Sequence, residues 1–96
     1  MMVLITYDIS NSGKDGSRRL RKIAKECQNH AQRVQNSVFE ADLDYSSFLK
    51  LKHNLLEIMD KNEDSIRFYY LGNKWKRLIE QFGIKESYDP EGVIII

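Results

Sequence analysis

The 96-residue chain is 42% apolar and 30% charged with a single proline, the make-up of one globular domain over residues 1–96, because domains commonly run to about 100–150 residues. Fifteen Lys and Arg against fourteen Asp and Glu leave a net charge of +1, which excludes a protein that coats nucleic acid through bulk positive charge; any nucleic-acid surface has to be local. A lone cysteine, Cys27, excludes an intrachain disulfide, and the apolar opening MMVLITYDI lacks a basic flank, a cleavage site and the roughly 20 residues of a membrane span, so a cytoplasmic protein without membrane contact is expected.

Met2 to Ile9 is a β-rich apolar run with Val3, Ile5 and Tyr7 on one face and Leu4, Thr6 and Asp8 on the other, which predicts a central strand with Asp8 at its carboxyl end. The turn-forming stretch SNSGKDGS follows. After it Leu20, Ile23, Ala24 and Cys27 recur at i, i+3, i+4, i+7 and predict an amphipathic helix with Cys27 in the core. Between Arg33 and Leu43 the apolar phase switches, with Val34 and Val38 on one parity and Phe39, Ala41 and Leu43 on the other. Because strand side chains alternate with a period of two, that switch requires a bulge or tight turn between Asn36 and Phe39, hence two short strands.

Asp44 is placed to cap a second helix whose buried stripe is Phe48, Leu51, Leu55 and Ile58. Asp60 to Asp64 reads as a charged turn, and Ile66 to Tyr70 as a strand ended by Gly72 and Asn73. KWKRLIEQFG is too short to assign between helix and strand. After an Asp89–Pro90 turn, the terminal VIII is a further apolar strand that needs a partner. The order βα, ββ, αβ predicts an α+β fold, the ferredoxin-like split βαβ sandwich (βαββαβ) with an additional C-terminal strand and both helices on one sheet face. The other face is either solvated or, given Phe39, Phe68, Tyr70 and the terminal run, packed against a second copy, since so short a chain buries only about 60–70% of its surface alone.

Asp8 is the first candidate for chemistry, because a carboxylate at the carboxyl end of a central strand beside a glycine-containing loop stands where α/β sheets place ligands. Tyr7 and Ser10 add hydroxyls, although Asp8 could equally just end the strand. One carboxylate is a poor Mg²⁺ cage, and a two-fold axis near the strand would bring a second from a partner copy. The second candidate is a basic segment: Lys14, Arg18, Arg19, Arg21, Lys22, Lys25 and Arg33 against Asp15 and Glu26 give +5 within a chain of +1. A helix N-terminus flanked by guanidiniums suits phosphate, so Arg18 and Arg19, nearest the loop, are expected to contact it, whereas Lys22 and Lys25 read as a solvated helix face. No phosphate-binding G-x-x-x-x-G-K-[ST] motif occurs. His30 and His53 lack partners at zinc-ligand spacing, and Trp75 among Lys74, Lys76 and Arg77 could stack on a base or anchor an interface.

Taken together, LITYDI, RRLRKIAKECQ, RVQNSVFEADL and DSIRFYYLG resemble, over nearly the whole chain, the small CRISPR-associated adaptation proteins, nuclease-like subunits that partner the adaptation integrase. The resemblance implies a ferredoxin-like homodimer formed through sheet faces, with the C-terminal strand completing the partner's sheet. It implies a metal-binding carboxylate at Asp8, one from each subunit, holding Mg²⁺ or Mn²⁺. It places Tyr7 beside that carboxylate, Arg18, Arg19 and Arg33 on the nucleic-acid backbone, and Phe39 near the cleft; Lys14, of the basic segment, is expected to join the backbone contacts. Asn29, His30 and Ala31 stand where relatives often carry an aromatic and a glycine, which leaves Asn29 or His30 to take the left-handed position at the helix end.

Two principal functions follow from this reading. One is a metal-dependent endonuclease on double-stranded DNA or single-stranded RNA; the other is a non-catalytic DNA-binding bridge for the adaptation integrase. A toxin-type ribonuclease of the virulence-associated D family, which shares the fold, is the third. Backbone contacts carry no base or sugar code, so the sequence does not choose between DNA and RNA.

Overall fold

The computed structural model describes residues 1–10, 15–72, 78–84 and 94–95. The chain runs β1 (Met2–Asp8), α1 (Gly16–His30), β2 (Gln32–Gln35), β3 (Val38–Asp42), α2 (Tyr45–Ile58), β4 (Ser65–Tyr70), β5 (Leu78–Gly83) and β6 (Ile94–Ile95). One sheet has the order β2-β3-β1-β4-β5-β6. The first four strands are antiparallel neighbours around β1, which is the interleaved arrangement of two βαβ units with both helices on one face, the ferredoxin-like fold. Among the described residues no helix is long and apolar enough to cross a membrane.

The alternation in β1 decides which face is covered. Val3, Ile5 and Tyr7 are buried, and Ile5 lies opposite Phe39 on β3 and Phe68 on β4. Ile23 and Cys27 of α1 and Phe48, Leu51 and Leu55 of α2 close over that row. Phe48 meets Phe68 and Tyr70 edge to face at 5.6 and 5.5 Å, the arrangement the ring quadrupoles prefer. Phe39, Phe68 and Tyr70 therefore belong to the helix-covered face. The expectation that they line the open face is corrected, because each lies in register with the inward parity of β1. The open face instead carries Leu4, Thr6 and Asp8 with their register partners Glu40, Val38, Tyr69, Arg67 and Ser65.

The phase switch resolves as foreseen. A register shift falls between Arg33 and Gln35, and β2 turns into β3 through Asn36 and Ser37. Asp44 caps α2, its Oδ1 accepting from Ser47 N at 2.7 Å, and the hydrogen bonds from Ser47 hold the Asp44 carboxyl below its ordinary pKa. Ile58 is half-buried, and the next residue, Met59, completes the stripe in the core.

Helix α1 ends differently from expectation. No described residue other than glycine has positive φ; Ala31 is extended at φ −146° and ψ 172°, its N–H bonded to Cys27 O at 2.7 Å, so the chain passes straight into β2 without a left-handed residue. The unassigned KWKRLIEQFG resolves as strand from Leu78 onward; residues 73–77, with Trp75, and the Asp89–Pro90 turn lie outside the described residues. Two strands, β5 and β6, extend the βαββαβ core. The second of them, β6, pairs parallel with β5 of its own chain.

Candidate active site

Asp8 is the last residue of β1 and is exposed, directly opposite Ser65 on β4. It lines a cavity of about 280 Å³ with Ser10, Glu63, Ser65 and Ile84. Three segments that converge at this end of the sheet supply those walls: the exit of β1, the turn between α2 and β4, and the chain just past β5. The polar donors there are carboxylate and hydroxyl oxygens, the hard set that suits Mg²⁺ or Mn²⁺ rather than zinc. Among the described residues no group of three or more His, Cys, Asp or Glu is placed to hold a metal ion. An ion seated on these oxygens would have to complete its shell with waters or with a carboxylate from another copy.

Tyr7 points the other way. It is buried on the helix side, its ring stacked on Phe39 at 6.2 Å and its hydroxyl donating to Asn36 O at 3.4 Å. Burial pushes its pKa up, the Cys27 side chain adds to this, and the Arg33 guanidinium offsets part of it. Strand alternation explains the separation, since neighbouring side chains leave opposite faces of the sheet. Phe39 is 0% exposed, which removes it as a surface for a base; the guanidinium of exposed Arg33 sits over its ring at 5.0 Å.

The largest departure from the charged-turn reading is Asp64, which is 0% exposed. Its Oδ2 accepts from Arg19 Nε at 2.7 Å and Asp60 N at 2.9 Å, and its Oδ1 from Ser10 N at 3.1 Å and Arg19 Nη2 at 3.2 Å. Burial pushes the Asp64 carboxyl up, but the bonds from Arg19, Asp60 and Ser10 outweigh it and the pKa ends below the ordinary value. Sequence held one signal for this residue. A carboxylate one place before the strand that opens Ser65–Ile66, in a turn that already contains Asp60 and Glu63, looks solvated until a guanidinium from another element reaches it.

A family model described as CRISPR associated protein Cas2 matches residues 1–79. The chain belongs to the Cas2 family. It is 54% identical over 96 residues to a CRISPR-associated endoribonuclease Cas2 of Nitratidesulfovibrio vulgaris, covering 100% of this chain and 94% of that one. It is 50% identical over 95 residues to a CRISPR-associated endonuclease Cas2 of Halalkalibacterium halodurans, covering 99% of each. The crystal structure of Streptococcus pyogenes Cas2 at pH 6.5 superposes with a TM-score of 0.69 at 51% identity, covering 78% of this chain and 90% of that one. The family assignment displaces the toxin-type ribonuclease reading.

In this Cas2-family chain the structure gathers Asp8 with Ser10, Glu63 and Ser65, and leaves Tyr7 and Phe39 beneath the helices. Arg18 is exposed on the first turn of α1. Arg19, its neighbour, turns inward to Asp64 with a side chain only 13% exposed, so its expected place on a phosphate is corrected to an ion pair inside the fold. Lys14 lies outside the described residues. His30 and His53 pair along their own helices with Glu26 at 3.3 Å and Glu57 at 3.5 Å. Glu63, Ser65 and Asp64 are the residues near Asp8 that sequence reasoning passed over.

Proposed function

We propose that this Cas2-family chain is a CRISPR adaptation subunit that cleaves DNA or RNA phosphodiester bonds as a Mg²⁺- or Mn²⁺-dependent endonuclease dimer. The observation that carries the reading is Asp8: an exposed carboxylate at the end of β1, lining a cavity with Ser10, Glu63 and Ser65. Asp8, with its counterpart in a second subunit, would hold the cation. When bound, such an ion supplies positive charge against the phosphoryl oxygens where it develops during in-line displacement. The chain's own part is to hold the nucleic-acid backbone. Arg18 on the first turn of α1 and Arg33 over the Phe39 ring are exposed guanidiniums, suited to bidentate phosphate contacts. With backbone contacts alone, binding tolerates many sequences and weakens as salt rises.

The test is cleavage of matched RNA and duplex DNA by purified protein with Mg²⁺ or EDTA, beside Asp8→Asn. The expected result is loss of cleavage in both EDTA and the variant with the fold intact; cleavage that survives Asp8→Asn in nuclease-free material sinks the metal role. A second reading rests on exposed Arg18 and Arg33 alone, which suit phosphate whether or not a cation is held at Asp8. In it the protein is a non-catalytic bridge that binds DNA beside the adaptation integrase. It predicts that spacer acquisition in cells tolerates Asp8→Asn but fails on charge reversal at Arg18 and Arg33.

A further inference from the structure

We propose that Asp64, locked to Arg19, is the positioning residue for Asp8, holding the three chain segments that wall the Asp8 cavity in the geometry that binds the cation. This rests on the reading of Asp8 as a metal carboxylate. The reasoning starts from the lining. Apart from Asp8 itself, the cavity is walled by Ser10, Glu63, Ser65 and Ile84, and every one of them is tied to Asp64. Ser10 donates its N–H to Oδ1 at 3.1 Å. Ile84 donates its N–H to the Asp64 carbonyl at 2.9 Å. Glu63 and Ser65 are its neighbours in the chain. Asp8 is thereby held from both sides: its own residue is registered against Ser65 in the ladder, and two residues on, past buried Ile9, the backbone is fastened to the Asp64 carboxylate.

Packing alone does not account for an ion pair here. An apolar pair of similar volume fills a buried site as stably or more so, because taking two charges out of water costs more than their attraction usually returns. What the carboxylate adds is convergence. Its two oxygens accept from four donors on three elements, the exit of β1, the first turns of α1 and the turn after α2, and no apolar side chain can specify four directions at once. Gly83 shows how tightly the last wall is drawn in. Its φ is +92°, and a Cβ there would collide with the Asp64 carbonyl oxygen and lie 2.7 Å from Met59 Cε. Arg19 acts through Asp64, with two of its N–H donors committed to the carboxylate, which leaves phosphate contact at this end of α1 to Arg18.

The experiment uses the full chain with Asp64→Asn, which keeps the shape and removes the charge, Arg19→Gln, the double variant, and Arg19→Lys as the conservative replacement. Mn²⁺ affinity is read by electron paramagnetic resonance, nucleic-acid Kd in EDTA across a salt series, cleavage by kcat and KM, and folding by circular dichroism. Groups that orient metal ligands typically account for about 10–100-fold in metal affinity or activity. The expected result is therefore a loss of at least about tenfold in Mn²⁺ affinity and kcat for each single variant, with nucleic-acid Kd and its salt slope unchanged. The double variant should be no worse than the poorer single, since both act through one contact. Arg19→Lys should fall between wild type and Arg19→Gln, and decides the matter alone if Asp64→Asn does not fold. Mn²⁺ binding that Asp8→Asn abolishes but folded Asp64→Asn or Arg19→Gln leaves intact overturns the positioning role alone. Additive losses, or an Arg19→Gln that lowers the salt slope by about one, overturn it by making Arg19 a phosphate contact. A wild type that binds no Mn²⁺ overturns the metal reading of Asp8 and this proposal together.

Discussion

Phe39 separates a nucleic-acid contact from a structural support, and its replacement by leucine gives opposite results for the two. The ring is fully buried, stacked on Tyr7 at 6.2 Å, opposite Ile5 in the sheet, with the Arg33 guanidinium 5.0 Å above its centroid. Truncation to alanine would cost about 3–5 kcal/mol, a large share of the roughly 5–14 kcal/mol expected for a domain of this size. Leucine keeps most of the volume. It costs about 1–1.5 kcal/mol for altered shape and removes a cation–π contact worth about 0.5–1 kcal/mol, together roughly 2 kcal/mol. At 4–8 °C per kcal/mol, Tm should drop by roughly 8–16 °C. Nucleic-acid affinity, followed by fluorescence anisotropy, should fall by no more than about fivefold, the factor set by loosening Arg33. A ring that stacked on a base would behave in reverse, with Tm unmoved and affinity down by roughly 5–150-fold. An unchanged Tm with a loss beyond about tenfold refutes the structural assignment.

Gly83→Ala places a methyl group against the Asp64 carbonyl at a φ of +92°, and should lower Tm by at least about 8 °C in a thermal melt, from roughly 2 kcal/mol or more of strain. Because the Asp64 carboxyl has a lowered folded pKa, its contribution is complete above the unfolded carboxylate range and is lost as pH falls through the folded value. Denaturant titrations should show stability declining below about pH 5 with a slope of up to about 1.4 kcal/mol per pH unit from this group, and Asp64→Asn should flatten that part of the profile. Cys27 is fully buried, and burial first, then Glu26, pushes its thiol up to about 12 while Arg33 offsets part of the shift. Maleimide labelling of the native protein should therefore track unfolding, slowing with every stabilising condition; rapid labelling under native conditions would refute the assignment of Cys27 to the core.

Much of the fold was legible because its signals are periodic. Val3, Ile5 and Tyr7 alternate, Ile23 and Cys27 recur at helical spacing, and the parity switch after Val34 demanded the turn that the structure places at Asn36 and Ser37. What alternation does not reveal is which parity meets the helices. Phe39, Phe68 and Tyr70 looked suited to a subunit interface because large aromatics are enriched there, yet they share the inward phase of Val3 and Ile5, and Phe68 and Tyr70 pack on Phe48 of α2. The face of a strand is settled by its partners across the sheet, and those pairings, Ile5 with both Phe39 and Phe68, span more than thirty and sixty residues of chain.

The site was legible only where one residue carries it. Asp8 stands out as the carboxylate that ends an apolar strand, and position alone makes it the candidate. Arg19 shows the opposite case. Local charge counting groups it with Arg18, one residue away and of the same type, but successive positions on a helix point about 100° apart, so one guanidinium meets solvent and the other meets the interior. Which of the two turns inward depends on a carboxylate 45 residues later, itself hidden in a run that reads as solvated charge. A buried ion pair leaves no periodic trace, because neither member belongs to an apolar stripe and each is explained locally as surface. Its signature is a pair of opposite charges at two element boundaries, Arg19 in the first turns of α1 and Asp64 immediately before β4, which the ferredoxin-like order brings to the same end of the sheet as Asp8. On the proposed reading, that juxtaposition would tie the +5 segment to the Asp8 end of the sheet through two different jobs: exposed Arg18 free to face a polyanion, and Arg19 turned inward onto Asp64 to hold the surroundings of Asp8.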